Sequence, residues 1–272
     1  MGRQVAGFFG LTLAIAWGIP VVVLFLARVF GFDPPVFSGS SPVVAWSPAI
    51  AACFVIAITR GVPGLRAFVG RLAGGRAGPG WYALALIVIP DACLLASLLA
   101  GADVRAAIGG SVAGWRAIAL GAVAAAVATP IAELGLRGFA QPMLQRRHGA
   151  IEASVIIGVM WTVWQLPAFM LDPAFARPEG PAPDLQLAAF VARTIALSVI
   201  LGLVYNRTRG SVAVCMLAHW TASLTYPGAG TAGALPAQAL VLGVLAAALG
   251  IALRSELRPG NLERRVTRTT HA

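Results

Sequence analysis

The sequence predicts an all-α integral membrane protein with about eight transmembrane helices and both termini in the cytoplasm. Only 11% of the 272 residues are charged, and 58% are hydrophobic, whereas a soluble domain carries about 25% charged residues. The apolar residues fall into stretches of roughly 20, the length of helix that crosses about 30 Å of hydrocarbon. Because backbone amides must find partners inside the bilayer, helices are favoured. The runs lack the short-range alternation typical of a membrane barrel.

Eight apolar stretches are predicted to cross the membrane, within a single membrane domain of residues 1–272. They cover residues 5–30, 42–59, 80–101, 115–145, 151–171, 186–205, 210–227 and 234–253. The first is too long for a signal peptide and has no clear small-residue cleavage site, so we expect a retained helix. The fourth is long enough to project beyond the bilayer or to kink at Pro130. Residues 254–272 are predicted to form a basic cytoplasmic tail.

The predicted orientation rests on the distribution of arginine, since the chain contains no lysine. Thirteen arginines follow the second, fourth and sixth stretches or lie in the tail: Arg60, Arg66, Arg71, Arg76, Arg146, Arg147, Arg207, Arg209, Arg254, Arg258, Arg264, Arg265 and Arg268. The opposite loops hold four: Arg28, Arg105, Arg116 and Arg177. Cytoplasmic loops carry the excess of basic residues. The pattern therefore predicts a multi-pass protein of the cell membrane, in a bacterial inner membrane, and no nucleic-acid partner.

The cysteines and histidines do not form a pattern typical of a disulfide framework or a metal site. Cys53, Cys93 and Cys215 all lie inside apolar stretches, and their number is odd. A catalytic zinc ion needs about three His, Cys or carboxylate ligands. Two of the three histidines, His148 and His271, lie outside the predicted spans. The sequence therefore predicts no metal and no cofactor.

Polar residues within the predicted spans are the candidates for function, because ionisable groups in hydrocarbon are costly and rare. They are Asp91, Glu133, Gln165, Arg137, Arg193 and His219. Glu133 and Arg137 are four residues apart, so they share a helix face and can pair. Glu133, Gln165 and His219 are expected at similar depth on three helices, which indicates a shared cavity. A structural ion pair and ordinary interhelical hydrogen bonds remain the alternative interpretation.

A resemblance to a known family begins at Ala132, in AELGLRGFAQPMLQRRHGAIEASVIIGVMWTVWQLPAFM, and extends to GSVAVCMLAHWTAS, which ends at Ser223. These segments resemble the core of the CPBP family of intramembrane metalloprotease-like proteins. The family includes the type II CAAX prenyl endopeptidases and bacteriocin-processing, Abi-like proteins. Its motifs are EExxxR, an aromatic residue followed by xxxH, and HxxxN. The resemblance covers residues 130–223 and implies an intramembrane peptidase.

The resemblance implies five site residues, Glu133, Arg137, Gln165, His219 and Ser223, but three motif positions differ from the family pattern. Ala132 stands where the family has its water-activating Glu, Gln165 replaces a histidine, and Ser223 replaces an asparagine. Alanine cannot take a proton and an amide can only orient water. Loss of a general base costs about 10²–10⁴ in rate. Pairing with Arg137 would keep Glu133 ionised but make it a poorer base, whereas His219 and Ser223 could still bind an oxyanion.

Three functional interpretations remain open at this stage. The favoured one is a non-proteolytic binding, immunity or scaffold protein. The second is an intramembrane endopeptidase that uses Glu133 and His219 as its acid–base pair. The third is a membrane enzyme with other acid–base chemistry on a lipid-soluble isoprenoid or natural-product substrate.

The predicted cavity would be lined by Ala132, Trp161, Trp164, Trp220 and Asp91. The expected partners are membrane lipid and a hydrophobic peptide, a prenylated peptide or a lipid-like small molecule. Asp91 and Arg193 are left without a role, and we hypothesise either that they pair with each other or that Arg193 approaches the site.

Overall fold

The computed structural model describes residues 2–33, 41–72, 77–101, 112–171, 182–225 and 233–254. All regular structure in these ranges is helical, which confirms the all-α class. We number the elements α1 (Gly2–Phe30), α2 (Pro42–Leu72), α3 (Pro79–Leu99), α4 (Val112–Ala128), α5 (residues 132–144), α6 (Ala150–Leu171), α7 (Pro183–Arg207), α8 (Val212–Leu224) and α9 (Ala234–Leu253).

Seven helical segments of the described chain are long and apolar enough to cross a membrane. They correspond to seven of the eight predicted spans and confirm a multi-pass membrane protein. The predicted span at 210–227 is occupied by a shorter apolar helix, α8, of 13 residues. That helix is about 20 Å long, against about 30 Å of hydrocarbon. The orientation stays a prediction, and the predicted tail lies outside the described residues beyond Arg254.

The second helix continues beyond the predicted end of its span at residue 59. Gly61 has a non-helical backbone (φ 62, ψ −163), a conformation that favours glycine, and the chain resumes as helix to Leu72. In this second part Arg66 is exposed while Phe68 is buried. The prediction of a loop directly after residue 59 is therefore wrong, because the non-helical backbone at Gly61 interrupts the helix without ending it.

The fourth predicted span is divided at the expected position. Helix α4 ends at Ala128 and α5 begins at Ala132, with turn residues between them that include Pro130. A proline removes one backbone hydrogen bond and clashes with the carbonyl of the preceding turn. The prediction of a kink at Pro130 is confirmed, and α5 starts a new helix at the first residue of the candidate motif.

Two helices contain a π-helical turn two residues before a proline. In α5 the turn is Leu136–Ala140, followed by Pro142, and in α3 it is Leu84–Val88, followed by Pro90. Each proline ring would clash with the carbonyl four residues earlier, which lies inside the π turn. Widening the turn relieves this clash. Such π bulges are often found at functional sites, and here one of them carries Arg137.

Helix α7 lies at the centre of the bundle and packs against α6, α8 and α9. Its backbone approaches α6 closely, since a Cβ added to Gly158 would lie 2.8 Å from Ile195 Cα. A Cβ on Gly202 of α7 would overlap Ser154 Oγ. Helix α5 approaches α2 in the same way, because a Cβ on Gly135 would overlap the Pro48 carbonyl. Small residues at helix contacts thus hold α5 in place.

Candidate functional site

Glu133 is fully buried near the start of α5, and both of its carboxylate oxygens are engaged. Oε2 accepts a hydrogen bond from Arg137 Nε at 3.0 Å, one helical turn along the same element. Oε1 lies 2.9 Å from His219 Nδ1 on α8. The predicted pairing of Glu133 with Arg137 is therefore present, and the structure also brings Glu133 and His219 into direct contact.

Arg137 extends this contact into a buried polar network. Its Nη1 donates to Gln141 Oε1 at 2.8 Å, and its Nη2 donates to Ser198 Oγ at 2.8 Å. Gln141 Nε2 in turn donates to Ser154 Oγ at 3.1 Å, and Ser198 Oγ donates to the Ser154 carbonyl at 2.7 Å. The network joins α5, α6, α7 and α8. Sequence reasoning missed Gln141, Ser154 and Ser198, although Gln141 follows Arg137 at helical spacing.

The charges of this network compensate each other. A buried ion is tolerated only when it is paired and its remaining hydrogen-bonding groups are satisfied, and all three nitrogens of the Arg137 guanidinium have acceptors. One buried carboxylate lies against one buried guanidinium. The network is therefore neutral when His219 is neutral, which suits a position inside a membrane protein.

The contact with Glu133 fixes the proton on one nitrogen of His219. An ionised carboxylate can only accept hydrogen bonds, so Nδ1 of His219 is the protonated nitrogen. In the neutral ring the lone pair is then on Nε2. The imidazole also lies beside the Trp161 indole, with ring centroids 4.6 Å apart. The arrangement offers a buried, oriented proton acceptor next to an aromatic wall.

The neighbours of His219 on α8 are engaged elsewhere. Ser223 Oγ donates to the His219 carbonyl at 2.8 Å, within its own helix. Trp220 Nε1 donates to the Ala122 carbonyl at 3.1 Å and so faces α4. The Ser223 hydroxyl is therefore bonded to the backbone of its own helix. Trp220 faces α4, whereas His219 contacts Glu133 on α5.

Two of the three motif positions that depart from the family pattern, Ala132 and Gln165, make no side-chain hydrogen bonds to the described residues. Ala132 is fully buried and has no polar side-chain atom. Gln165 is half-buried on α6, one turn after Trp161. The indole nitrogens of Trp161 and Trp164 are buried, and neither has a hydrogen-bond partner in the described part of the chain.

Asp91 and Arg193, left without a role by the sequence, lie apart from this cluster and do not pair as hypothesised. Arg193 is buried and donates to Gln238 Oε1 at 2.9 Å and to the Ala222 carbonyl at 3.1 Å. Asp91 is exposed on α3, whereas Cys93 of the same helix is fully buried. Two residues correspond to about 200° of helix, so Asp91 points away from the interior.

A metal ion does not fit the site. The described residues contain no group of three or more His, Cys, Asp and Glu side chains that could hold one. Glu133 is also engaged by a cation and by His219. The side chains of the site offer hydrogen bonding, and His219 can transfer a proton.

The comparisons with known proteins concern the part of the chain that contains this site. Residues 114–225 match the family model described as Type II CAAX prenyl endopeptidase Rce1-like. Over 98 residues the chain is 22% identical to CAAX prenyl protease 2 of Methanococcus maripaludis, an alignment that covers 36% of each chain. The chain thus spans about a third of the length of the curated relative it matches. The predicted motif residues lie inside the matched segment, so this part of the chain is similar to the CAAX-protease-like, or CPBP, family of membrane proteins.

Proposed function

We propose that this CPBP-like chain binds a hydrophobic peptide, a prenylated peptide or a lipid-like molecule without hydrolysing it, in an immunity or scaffolding role. The observation that carries the proposal is the residue at position 132. Ala132 is buried and cannot accept a proton, at the motif position where family members have the water-activating glutamate. Gln165 at the other altered position can orient water but cannot deprotonate it.

The contacts of Glu133 argue against its taking over as the base. Arg137 and His219 each engage one oxygen of Glu133, and hydrogen bonds to an ionised carboxylate stabilise it and weaken it as a base toward water. The adjacent position 132 also points about 100° away around the helix, so the carboxylate does not coincide with the missing group. Glu133 is therefore better suited to holding Arg137 and His219 in position than to acting as a base.

A second candidate function, intramembrane peptidase, is favoured by the 2.9 Å contact between His219 Nδ1 and Glu133. In serine hydrolases a carboxylate bonded to Nδ1 orients the imidazole and stabilises its protonated form, while Nε2 acts as the base. His219 Nε2 would then deprotonate a water molecule that Gln165 helps to orient. The same base would serve acid–base chemistry on a lipid-soluble substrate.

A cleavage assay on three proteins distinguishes the two candidates. The parent, the His219→Asn variant and the restored Ala132→Glu/Gln165→His double variant would be purified and incubated with hydrophobic and prenylated peptides. Products would be detected by mass spectrometry. Asparagine keeps an N–H close to the position of Nδ1 but has no basic nitrogen. We expect no product from the parent and cleavage by the restored protein.

The outcome that overturns the proposal is cleavage by the parent that His219→Asn abolishes, which would establish the second candidate. A matched control is His148→Asn. His148 Nδ1 also contacts a glutamate, Glu152, at 2.7 Å, but that pair lies at the exposed start of α6. Thermal unfolding of each variant separates loss of chemistry from loss of folding.

A further inference from the structure

Within the described ranges, two buried tryptophans on α6 lack the indole N–H hydrogen bond that three other tryptophans make. Trp17, Trp46 and Trp220 each donate to a backbone carbonyl of another helix, each at 3.1 Å. Trp161 and Trp164 are more deeply buried, both 3% exposed. Neither of their N–H groups has a partner among the described residues.

Leaving these two donors unpaired is costly. A buried donor without an acceptor costs about 1–3 kcal/mol, and more than nine in ten buried polar groups are hydrogen-bonded. Phenylalanine at either position would supply a similar aromatic surface without a donor. Two donors within one turn of one helix, without an acceptor in the described part of the chain, therefore favour an acceptor supplied by a bound molecule.

The two indoles lie at the candidate functional site. Trp161 and Trp164 are three residues apart and therefore share a face of α6. Gln165 follows Trp161 by four residues on that face. The Trp161 ring is 4.6 Å from the His219 ring, centroid to centroid. The unpaired donors thus belong to the same region as the free nitrogen, Nε2, of His219.

The surrounding charges decide what kind of acceptor fits. Arg137, the buried cation bonded to Glu133, already uses Nε, Nη1 and Nη2 for Glu133, Gln141 and Ser198. An anionic headgroup would therefore find no uncommitted guanidinium in this network, and burying its charge would be costly. An ammonium group could donate to His219 Nε2 but would leave both indole donors unpaired, because an ammonium group has no lone pair to accept from them. A neutral oxygen acceptor on an apolar molecule meets neither penalty.

We propose that Trp161 Nε1 and Trp164 Nε1 donate hydrogen bonds to the carbonyl oxygen of an amide or ester in a lipophilic ligand. The inference rests on the proposed function, since it names the chemistry of the ligand bound at that site. His219 Nε2 accepts the N–H of an amide, which an ester lacks. An amide would come from a hydrophobic peptide and an ester from a lipid, so the relative affinity of the two identifies the source.

The test uses the full chain in dodecyl maltoside micelles, which contain no carbonyl group, with ¹⁵N-labelled tryptophan. The probes are N-hexyl dodecanamide, hexyl dodecanoate and nonadecane, which have similar lengths and differ in the carbonyl group. The variants are Trp161→Phe, Trp164→Phe and the control Trp46→Phe, whose indole donates to the Val127 carbonyl. Indole N–H resonances and probe affinity are measured in each protein.

We expect the amide or the ester, but not nonadecane, to shift the Trp161 and Trp164 resonances. Each phenylalanine substitution at these two positions should weaken binding of that probe about two- to tenfold, while Trp46→Phe leaves it unchanged. Tighter binding of the amide assigns the ligand to the peptides, and equal or tighter binding of the ester assigns it to the lipids.

The inference is overturned if no carbonyl probe shifts the two resonances, if nonadecane has the same effect, or if the phenylalanine variants bind as the parent does. If a phenylalanine variant is more stable than the parent but binds the probe equally well, the indole N–H is an unpaired donor that does not bind the ligand, and the inference is overturned. Mass analysis of the recovered probes tests the proposed function separately. A hydrolysed probe together with shifted resonances would contradict the non-hydrolytic function but support the two indoles as donors. An intact probe together with unshifted resonances would contradict the indoles as donors and leave the non-hydrolytic function standing.

Discussion

The imidazole Nδ1 of His219 lies 2.9 Å from Oε1 of Glu133, across 86 residues of sequence, while Oε2 of the same carboxylate lies 3.0 Å from Arg137 Nε. The three residues that match the family motifs therefore form one contiguous hydrogen-bonded unit. Ala132 and Gln165, two of the three positions that depart from the motifs, stand outside it. The hydrogen-bonded unit joins α5 to α8, so its residues contribute to the packing of the helices as well as to the candidate site.

The Glu133–Arg137 pair should contribute strongly to stability. Glu133→Gln removes the charge opposite a fully buried guanidinium, so we expect the free energy of unfolding to fall by about 3–5 kcal/mol. Glu152→Gln is the matched control, since Glu152 pairs with His148 at an exposed position and such pairs contribute about 0–1 kcal/mol. Denaturant unfolding in micelles measures both. Equal effects of the two substitutions would contradict a structural role for Glu133.

The sequence predicted which helices meet at the site but not how they are bonded. Spacing was enough to pair Glu133 with Arg137, and similar depth was enough to expect His219 nearby. The serines could not be predicted, because a serine in an apolar helix commonly bonds a carbonyl of its own helix, as Ser47 does with the Val44 carbonyl. Ser198 instead accepts from Arg137 and donates to α6.

The errors in the predicted fold have equally local causes. The chain after residue 59 contains arginines, glycine and proline, which indicate a loop. In the structure only Gly61 has a non-helical backbone, and the helix resumes after it. Pro130, in contrast, does separate two helices as expected. The hypothesised pairing of Asp91 with Arg193 was wrong because hydropathy locates a residue along a helix but does not say which way it faces.

Close packing at Gly135 should fix the position of Glu133. A Cβ at Gly135 would overlap the backbone carbonyl of Pro48, so Gly135→Ala must push α5 away from α2. We expect a loss of about 1–3 kcal/mol or more in the free energy of unfolding. The control is Gly243→Ala in α9, where a Cβ meets nothing within 4 Å. That substitution should stabilise by about 0.5–1 kcal/mol, and destabilisation of similar size at both positions would contradict the packing argument.

The predicted orientation can be tested by labelling. The positive-inside rule predicts that the segment between the second and third predicted spans is cytoplasmic and that the segment between the third and fourth lies outside. We expect an impermeant maleimide to label Ala102→Cys but not Gly75→Cys in intact spheroplasts, and to label both after lysis. The comparison is made in a background without the three native cysteines. Labelling of Gly75→Cys before lysis would reverse the orientation.

Asp91 and Arg193 should act independently, because the structure turns them to different surroundings. Arg193 is buried and bonds to Gln238 and the Ala222 carbonyl, so Arg193→Gln leaves buried acceptors without donors and should destabilise by about 1–3 kcal/mol or more. Asp91 is exposed within an apolar span, where an aspartate is unfavourable by about 2.5–3.5 kcal/mol at the helix centre. Asp91→Asn should therefore be neutral or stabilising. Unfolding of the parent, both single variants and the double variant gives the coupling free energy, which should be within about 0.5 kcal/mol of zero. A coupling of about 2 kcal/mol or more would mean that the two charges interact in the folded protein after all.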